Sequence, residues 1–181
     1  MAPRRSKALL EAMLESPPDR LVVQTHTPHP LWDIELLGEL GRRVPGLSVN
    51  ISVETDRERL GAGFAPHATP LAARLAALAR LRRSGIRCAA VVAPMLPIDD
   101  VQGFARRLGE AADRVILDHF LIGDGSPGGL RTRRTGFPER LESAGLGEWG
   151  SLDKFHQVCD VFRAVLGDER VGISSEGFNA P

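Results

Sequence analysis

Residues 47–54 read Leu-Ser-Val-Asn-Ile-Ser-Val-Glu, and this stretch decides the fold. Apolar and polar residues alternate along it with the period of a β-strand. The apolar residues share one face: Val49, Ile51 and Val53. The polar residues share the other face: Ser48, Asn50, Ser52 and Glu54. A strand with one polar face lines either a cavity or the wet edge of a sheet, and the spacing alone favours neither alternative.

Short apolar strands alternate with helices on both sides of this stretch. We predict strands at 20–25, 47–54, 86–93, 114–121 and 170–174. We predict helices at 5–15, 31–43, 70–84, 100–111 and 152–166. A long glycine-rich loop separates the fourth strand from the last helix. Regular alternation of this kind indicates an α/β fold with parallel strands, and both an open doubly wound sheet and a partial barrel match it.

The composition is that of one ordinary globular domain. The chain has 181 residues, of which 43% are hydrophobic, and 23 basic residues balance 23 acidic ones. We therefore predict a single domain over residues 1–181. The neutral balance argues against a generic polyanion binder and leaves specific nucleic-acid binding open. No apolar run reaches the length of a membrane span. With two cysteines, a reducing cytoplasm is expected rather than a disulfide framework.

Polar residues and prolines follow the carboxyl ends of the predicted strands. Ligands of α/β proteins bind where parallel strands end, so these residues predict a cavity. They are Gln24, Thr25, His26, Pro94, Asp118, His119, Ser174 and Glu176. Each of them alone is also consistent with a satisfied core polar group or a helix cap.

Arg74 is the most informative single charge. It lies three residues after Leu71, on the apolar stripe of the helix at 70–84. A cation at that place could clamp a carboxylate or phosphate of a ligand. The alternatives are an ion pair with Glu54 and a snorkelling side chain, and the sequence does not choose between them.

Two loop features carry weaker signals. Residues 123–129 (GDGSPGG) could form an anion-binding nest, but they lack the spacing of a P-loop, which favours a flexible loop or lid. The basic cluster Arg131, Arg133 and Arg134 is typical of a solvated loop rather than of a phosphate contact.

Four residues could in principle bind a metal ion: His26, His29, Asp118 and His119. Their spacing matches no strong zinc signature, so no metal ligand is predicted.

Several runs of residues, taken in order, resemble radical S-adenosylmethionine (radical SAM) proteins of the spore photoproduct lyase-related group. The similarity covers most of the chain. The matching runs are 24–28 (QTHTP), 49–58 (VNISVETDRE), 64–66 (FAP), 70–75 (PLAARL), 85–86 (GI), 92–97 (VAPMLP), 118–126 (DHFLIGDGS) and 175–178 (SEGF). The ordered set, rather than any one run, is specific.

This resemblance implies a partial (β/α)-barrel in which the chain supplies the later strands and the N-terminal strands are missing. It implies S-adenosylmethionine as cofactor, with the ribose near Asn50, Ser52 and Glu54. Arg74 would hold the methionine carboxylate. The implied cofactor set also includes Pro94, near the adenine, and His26. The implied substrate cavity consists of Gln24, Asp118, His119 and Glu176.

The resemblance also implies a [4Fe–4S] cluster held by a C-x-x-x-C-x-x-C loop, and here the chain departs from the family. The cluster reduces S-adenosylmethionine to a 5′-deoxyadenosyl radical, which abstracts hydrogen from substrate. Such clusters need several thiolates, and Cys88 and Cys159 lie far apart in the sequence. We therefore expect no cluster on this chain alone. A missing N-terminal segment or a separate chain would carry it.

Three functional hypotheses follow. The first is the C-terminal fragment of a radical SAM enzyme, inactive by itself. The second is a non-catalytic nucleoside-binding module, or a subunit of a two-chain radical SAM system. The third is a metal-dependent hydrolase that uses the histidines. A barrel that lacks its first strands would leave an unpaired edge at residues 20–25, so we expect the isolated chain to self-associate or to be poorly soluble.

Overall fold

A computed structural model describes residues 5–60 and 69–179 of the chain. The run at 64–66 that contributed to the family resemblance lies outside these residues. In the described part of the chain, no helix combines the length and the apolar character needed to cross a membrane.

Five parallel strands form one sheet. They are β1 (Arg20–Thr25), β2 (Gly46–Ser52), β3 (Cys88–Val92), β4 (Arg114–Leu117) and β5 (Val171–Ile173). Their order across the sheet, β1-β2-β3-β4-β5, follows the order along the chain. A doubly wound sheet requires a reversal of strand order, and the five described strands show none. Because β2 lies between β1 and β3, the edge-strand interpretation of residues 47–54 is wrong.

The helices of the described residues are α1 (Arg5–Glu15), α2 (Ile34–Arg43), α3 (Leu71–Arg83), α4 (Val101–Ala111), α5 (Phe120–Gly123), α6 (Leu130–Arg133), α7 (Phe137–Ser143), α8 (Leu152–Leu166) and α9 (Ser174–Asn179). The long helices pack their apolar stripes on one face of the sheet, which we call the helical face. Val49, Ile51 and Val53 point into this core and are fully buried. The stripe predicted for α3 is confirmed, with Leu71, Leu78 and Leu81 in the core.

The opposite face of the sheet, which we call the polar face, has a different cover. It carries the polar side chains of β2 and a small apolar cluster of Ala89, Val91 and Ile116. Phe178 of α9 packs against that cluster. Ser48 and Asn50, predicted to share a face, do so: the Ser48 hydroxyl donates to Asn50 Oδ1 at 2.8 Å.

Several predicted boundaries were wrong. The strand predicted at 114–121 ends at Leu117, because the His119 side chain accepts a hydrogen bond from Leu121 N and so caps α5. The helix predicted at 31–43 begins with a 3₁₀ turn, His29–Asp33, and becomes α-helical at Ile34.

The predicted glycine-rich loop between β4 and α8 is also wrong as a description of structure. It contains α5, α6 and α7, joined by 3₁₀ turns at Pro127–Gly129 and Gly147–Gly150. The left-handed backbone at Gly129 and Gly136 allows the chain to turn sharply before α6 and α7. The segment is therefore a compact helical cap rather than an irregular loop.

Candidate functional site

A cleft of about 660 Å³ lies at the carboxyl ends of the strands. Six of the predicted site residues line it: Gln24, His26, Glu54, Pro94, Asp118 and His119. Apolar side chains complete its walls: Leu96, Phe120, Phe137 and Phe178. The prediction that strand ends converge on one cavity therefore matches where the structure places these six residues.

Backbone hydrogen bonds hold the strand ends side by side. Leu96 N donates to Glu54 O at 3.0 Å, and Met95 N donates to Asp118 O at 2.8 Å. The segment that follows β3 thus bridges the segments that follow β2 and β4. This bridge fixes the two carboxylates, Glu54 and Asp118, on one wall of the cleft.

Glu54 is the most deeply buried acid of the cleft, with 4% of its surface exposed. Its Oε2 accepts a hydrogen bond from Arg74 Nη1 at 2.9 Å. His26 Nδ1 lies 2.8 Å from its Oε1 and is an ion-pair partner when protonated, although the contact lacks hydrogen-bond geometry. Since no other described residue donates to Oε1, a ligand hydroxyl that displaces His26 would supply a well-aligned donor.

Arg74 is buried beneath the cleft rather than in its lining. Its Nη1 donates both to Glu54 and to the backbone carbonyl of Ser52, the latter at 2.6 Å. The ion pair that the sequence left as an alternative is therefore present. Arg74 keeps a negative charge in place at the bottom of the site.

Asp118 lies on the same wall, half-buried, and is shaped by two neighbours. The Ser174 hydroxyl donates to its Oδ1 at 2.8 Å. A Cβ at Gly123 would lie only 1.8 Å from its Oδ2, so a larger residue where α5 passes would displace this carboxylate. Burial is the largest influence on its acidity and raises the pKa of Asp118 above the ordinary value, while the Ser174 hydroxyl opposes that effect.

His119 is fully buried and both of its ring nitrogens have protein partners. Nδ1 accepts from Leu121 N at 3.1 Å, so Nε2 is the protonated nitrogen that donates to Trp149 O at 3.2 Å. Burial lowers the pKa of the imidazole. His119 is therefore both a helix cap and a satisfied core polar group, which are the two structural alternatives to a ligand-binding role.

The helical cap supplies site residues that the sequence did not single out for the cleft. Arg131, Thr132, Thr135 and Arg140 line its outer wall. Asp124 organises this wall: its carboxylate accepts hydrogen bonds from Ser126 N and Thr132 N, both at 2.8 Å. These bonds, with that of the Ser126 hydroxyl, hold the pKa of Asp124 well below its usual range. The nest that residues 123–129 could have offered to an anion is thus filled by Asp124.

Three predicted site residues lie apart from the cleft. Asn50 lines a second cavity of about 240 Å³ near the amino ends of the strands. Ser52 is 1% exposed and borders neither cavity. Glu176 is exposed to solvent on α9 and does not line the cleft. Their predicted roles remain predictions. None of the three lines the cleft, and Ser52 contacts the site only through its backbone carbonyl, which accepts from Arg74.

His29 lies apart from the other three candidate metal ligands, His26, Asp118 and His119, which line the cleft. His29 stacks on Trp32, with ring centroids 4.0 Å apart, and lines a different cavity from Asp118. Within the described ranges, no three His, Cys, Asp or Glu side chains are placed to hold a metal ion together.

Both cysteines are buried. The Cys88 thiol faces α3 and donates to Leu78 O at 3.5 Å, and Cys159 is a residue of α8 whose side chain lies in the core. Burial is the main cause that raises the pKa of each thiol to about 12. At neutral pH both are protonated and poor ligands for iron.

Fold and site together define an α/β protein with a parallel sheet, its long helices on one face and a cleft at the carboxyl ends of its strands. No protein-family model, curated protein or solved structure matches the chain.

Proposed function

We propose that this chain forms the S-adenosylmethionine ribose and carboxylate side of a radical SAM-type cavity and is inactive alone. The observation that carries the proposal is the buried carboxylate of Glu54, whose Oε1 accepts no hydrogen bond from the described residues. A ribose offers two neighbouring hydroxyl donors, the chemistry that such an oxygen needs. His26, whose side chain is half exposed, covers this oxygen and would move aside to admit the ligand.

The sheet supports a partial barrel. Its strands follow one another without reversal, and the long helices pack on one face. A closed or partly closed barrel is built in this way, with the strands inside and the helices outside. The polar residues of β2 lie on the face that would be the inner one.

Charges on the two walls of the cleft suit a zwitterionic ligand. Glu54 and Asp118 lie on the inner wall, and Arg131 and Arg140 on the outer wall. The ligand's sulfonium and hydroxyl groups would face the carboxylates, while its own carboxylate would face the arginines. Arg74 then acts through Glu54, whose charge and orientation it fixes, instead of reaching the methionine carboxylate itself.

The residues of this chain do not fit an iron–sulfur cluster. A cluster requires several accessible thiolates, whereas Cys88 and Cys159 are buried, protonated and separated by the core. No reaction step through a cluster is assigned to this chain. In this proposal the cluster belongs to another polypeptide segment.

A second function has one specific observation in its favour. The same unreactive thiols are what a non-catalytic nucleoside-binding module or subunit would have.

Anaerobic iron–sulfur reconstitution separates the chain alone from a complete enzyme: we expect no absorbance band near 400 nm. A stable band with stoichiometric iron would contradict both functions as stated.

Isothermal titration calorimetry with S-adenosylmethionine tests the binding site. We expect saturable heat for the unmodified chain and a loss of affinity of about tenfold or more for Glu54→Gln, because a hydrogen bond to a charged group is lost. Glu35→Gln, an exposed acid on α2, is the matched control and should bind normally. No heat at millimolar ligand, or equal binding by Glu54→Gln, would refute the proposed site.

A further inference from the structure

The C-terminal helix α9 covers the polar face of the sheet, and we call residues Ser174–Asn179 the strap. The strap leaves β5 at one edge of the sheet and reaches Arg20 of β1 at the other edge. Arg20 donates hydrogen bonds to the carbonyls of Phe178 and Asn179, the second at 3.2 Å. The six-residue segment therefore packs over β4 and β5, and the Arg20 side chain from β1 holds its far end.

The strap divides the polar face into two cavities. Phe178 lines both the cleft and the second cavity that contains Asn50. Beneath it lie Val91 and Ile116, which are buried with exposures of 0% and 4%. Phe178 is thus the partition between the two spaces.

Close backbone packing seats the strap. A Cβ on Gly177 would lie 2.7 Å from the carbonyl carbon of Gly172, and a Cβ on Gly172 would lie 2.6 Å from Gly177 Cα. Only two glycines allow this approach. The contact is precise, but it buries little side-chain surface, so the strap depends on few interactions.

The two ends of the strap differ in backbone conformation and in solvent exposure. At its start Ser174 adopts a left-handed backbone with a φ of 48°, an uncommon conformation for a residue with a side chain. The Ser174 hydroxyl is held by Asp118, a wall residue of the cleft. At its other end the bonds from Arg20 are exposed to solvent, where water competes with them.

We propose that the strap is a gate that opens about a hinge at Ser174, with Arg20 as its latch. Opening removes the Phe178 partition, so the cleft and the second cavity become one groove along the polar face. Asn50 then joins Glu54 in the same groove. A ligand that binds Asp118 competes with Ser174 for that carboxylate, which couples occupancy of the cleft to release of the hinge.

Thiol labelling tests the gate without any ligand, so its result is independent of the proposed function. Val91→Cys places a thiol under Phe178 on the polar face. Cys88 lies in the same strand on the helical face and reports global unfolding. We expect the introduced thiol to react with an excess of a small alkylating reagent at least about tenfold faster than Cys88, because local opening costs less than unfolding.

Gly177→Ala should hold the gate open, since its Cβ clashes with backbone that cannot yield. We expect it to raise labelling of the introduced thiol by about tenfold and to leave Cys88 unchanged. Ser175→Ala, an exposed strap residue, is the matched control. If both thiols speed up together, or if the introduced thiol labels no faster than Cys88, the strap is a fixed part of the fold and the gate is refuted.

Hydrogen exchange on the unmodified chain gives a second measurement that needs no cysteine variant. Strap amides should exchange faster than those of β3, and Arg20→Gln should raise strap exchange alone. Exchange of the strap only together with β3 would overturn the proposal.

Discussion

The two faces of the sheet are built on opposite principles. On the helical face, β2, β3 and β4 present only apolar side chains, which long helices cover completely. On the polar face the same strands present Asn50, Ser52 and a three-residue apolar cluster, and a six-residue strap covers them. Because successive side chains of a strand point to opposite faces, every strand contributes residues to both faces. The sheet thus places an apolar core directly behind a polar surface.

The difference has an energetic meaning. Apolar burial is non-directional and accumulates with area, so the helical face accounts for most of the folding stability. A buried polar group contributes only when it is paired. The polar groups of this side therefore contribute through their partners, and Glu54 Oε1 is an atom without a well-aligned hydrogen bond from the described residues. Substitutions of the same chemical kind on the two faces should have unequal effects.

Replacing a phenylalanine on each face gives the largest expected contrast. Phe162 is fully buried between α8 and the sheet, so Phe162→Ala should lower the free energy of unfolding by about 3–5 kcal/mol. Phe178→Ala on the half-buried strap should cost about 1 kcal/mol. Urea unfolding followed by circular dichroism measures both. Equal losses would show that the strap is as much a part of the core as α8.

The buried ion pair behind the cleft should give the next largest effect. Arg74→Met leaves the Glu54 charge buried without its partner and should cost about 3 kcal/mol. Adding Glu54→Gln to Arg74→Met removes the orphaned charge, so stability should partly recover. A double-mutant cycle from urea unfolding gives the coupling. Loss without recovery would mean that Arg74 stabilises through packing alone.

The pattern of β2 was readable from sequence because alternation is local. Val49, Ile51 and Val53 point where their spacing predicts, and the strand-end residues converge because parallel strands share a carboxyl edge. Whether the polar face met a cavity or solvent was not readable, since that depends on which strands pair with β2. Pairing joins residues far apart in the chain.

The strap and the helical cap escaped prediction for another reason. Their helices are too short to show an apolar period, and glycines mark their ends as if they were loops. Gly177 allows close backbone packing only because Gly172 lies opposite it. His119 is satisfied in the core because its Nε2 bonds to the carbonyl of Trp149. A residue whose role is set by one distant partner gives no signal in its own neighbourhood.

The third prediction concerns pH at the junction of core and cleft. Burial lowers the pKa of His119 below its ordinary value of 6.5. As the pH falls below 6.5, the unfolded chain binds a proton at this histidine while the folded chain does not. The free energy of unfolding should therefore decrease as the pH falls. His119→Asn keeps an acceptor for Leu121 N and should flatten this dependence between pH 6.5 and 5. Thermal melts at several pH values measure it.

Asp118 provides the contrast to that titration. Because the pKa of Asp118 is raised in the folded chain, the folded chain binds this proton at a higher pH than the unfolded chain does. Protonation of Asp118 therefore increases the free energy of unfolding as the pH falls. The two residues therefore act with opposite signs. If His119→Asn parallels the unmodified chain across the whole range, burial of the imidazole is not the source of the acid sensitivity.

The smallest effect on stability is expected at the edge of the sheet. Within the described residues β1 pairs on one side only, with β2, and Val22 is 39% exposed on the polar face. An open edge invites pairing with another chain, so the isolated protein should self-associate. Val22→Lys should reduce association while changing stability by less than about 0.5 kcal/mol, because lysine blocks edge pairing without touching the core. Light scattering at tens of micromolar measures the mass, and a clean monomer before the substitution would show that this edge needs no partner.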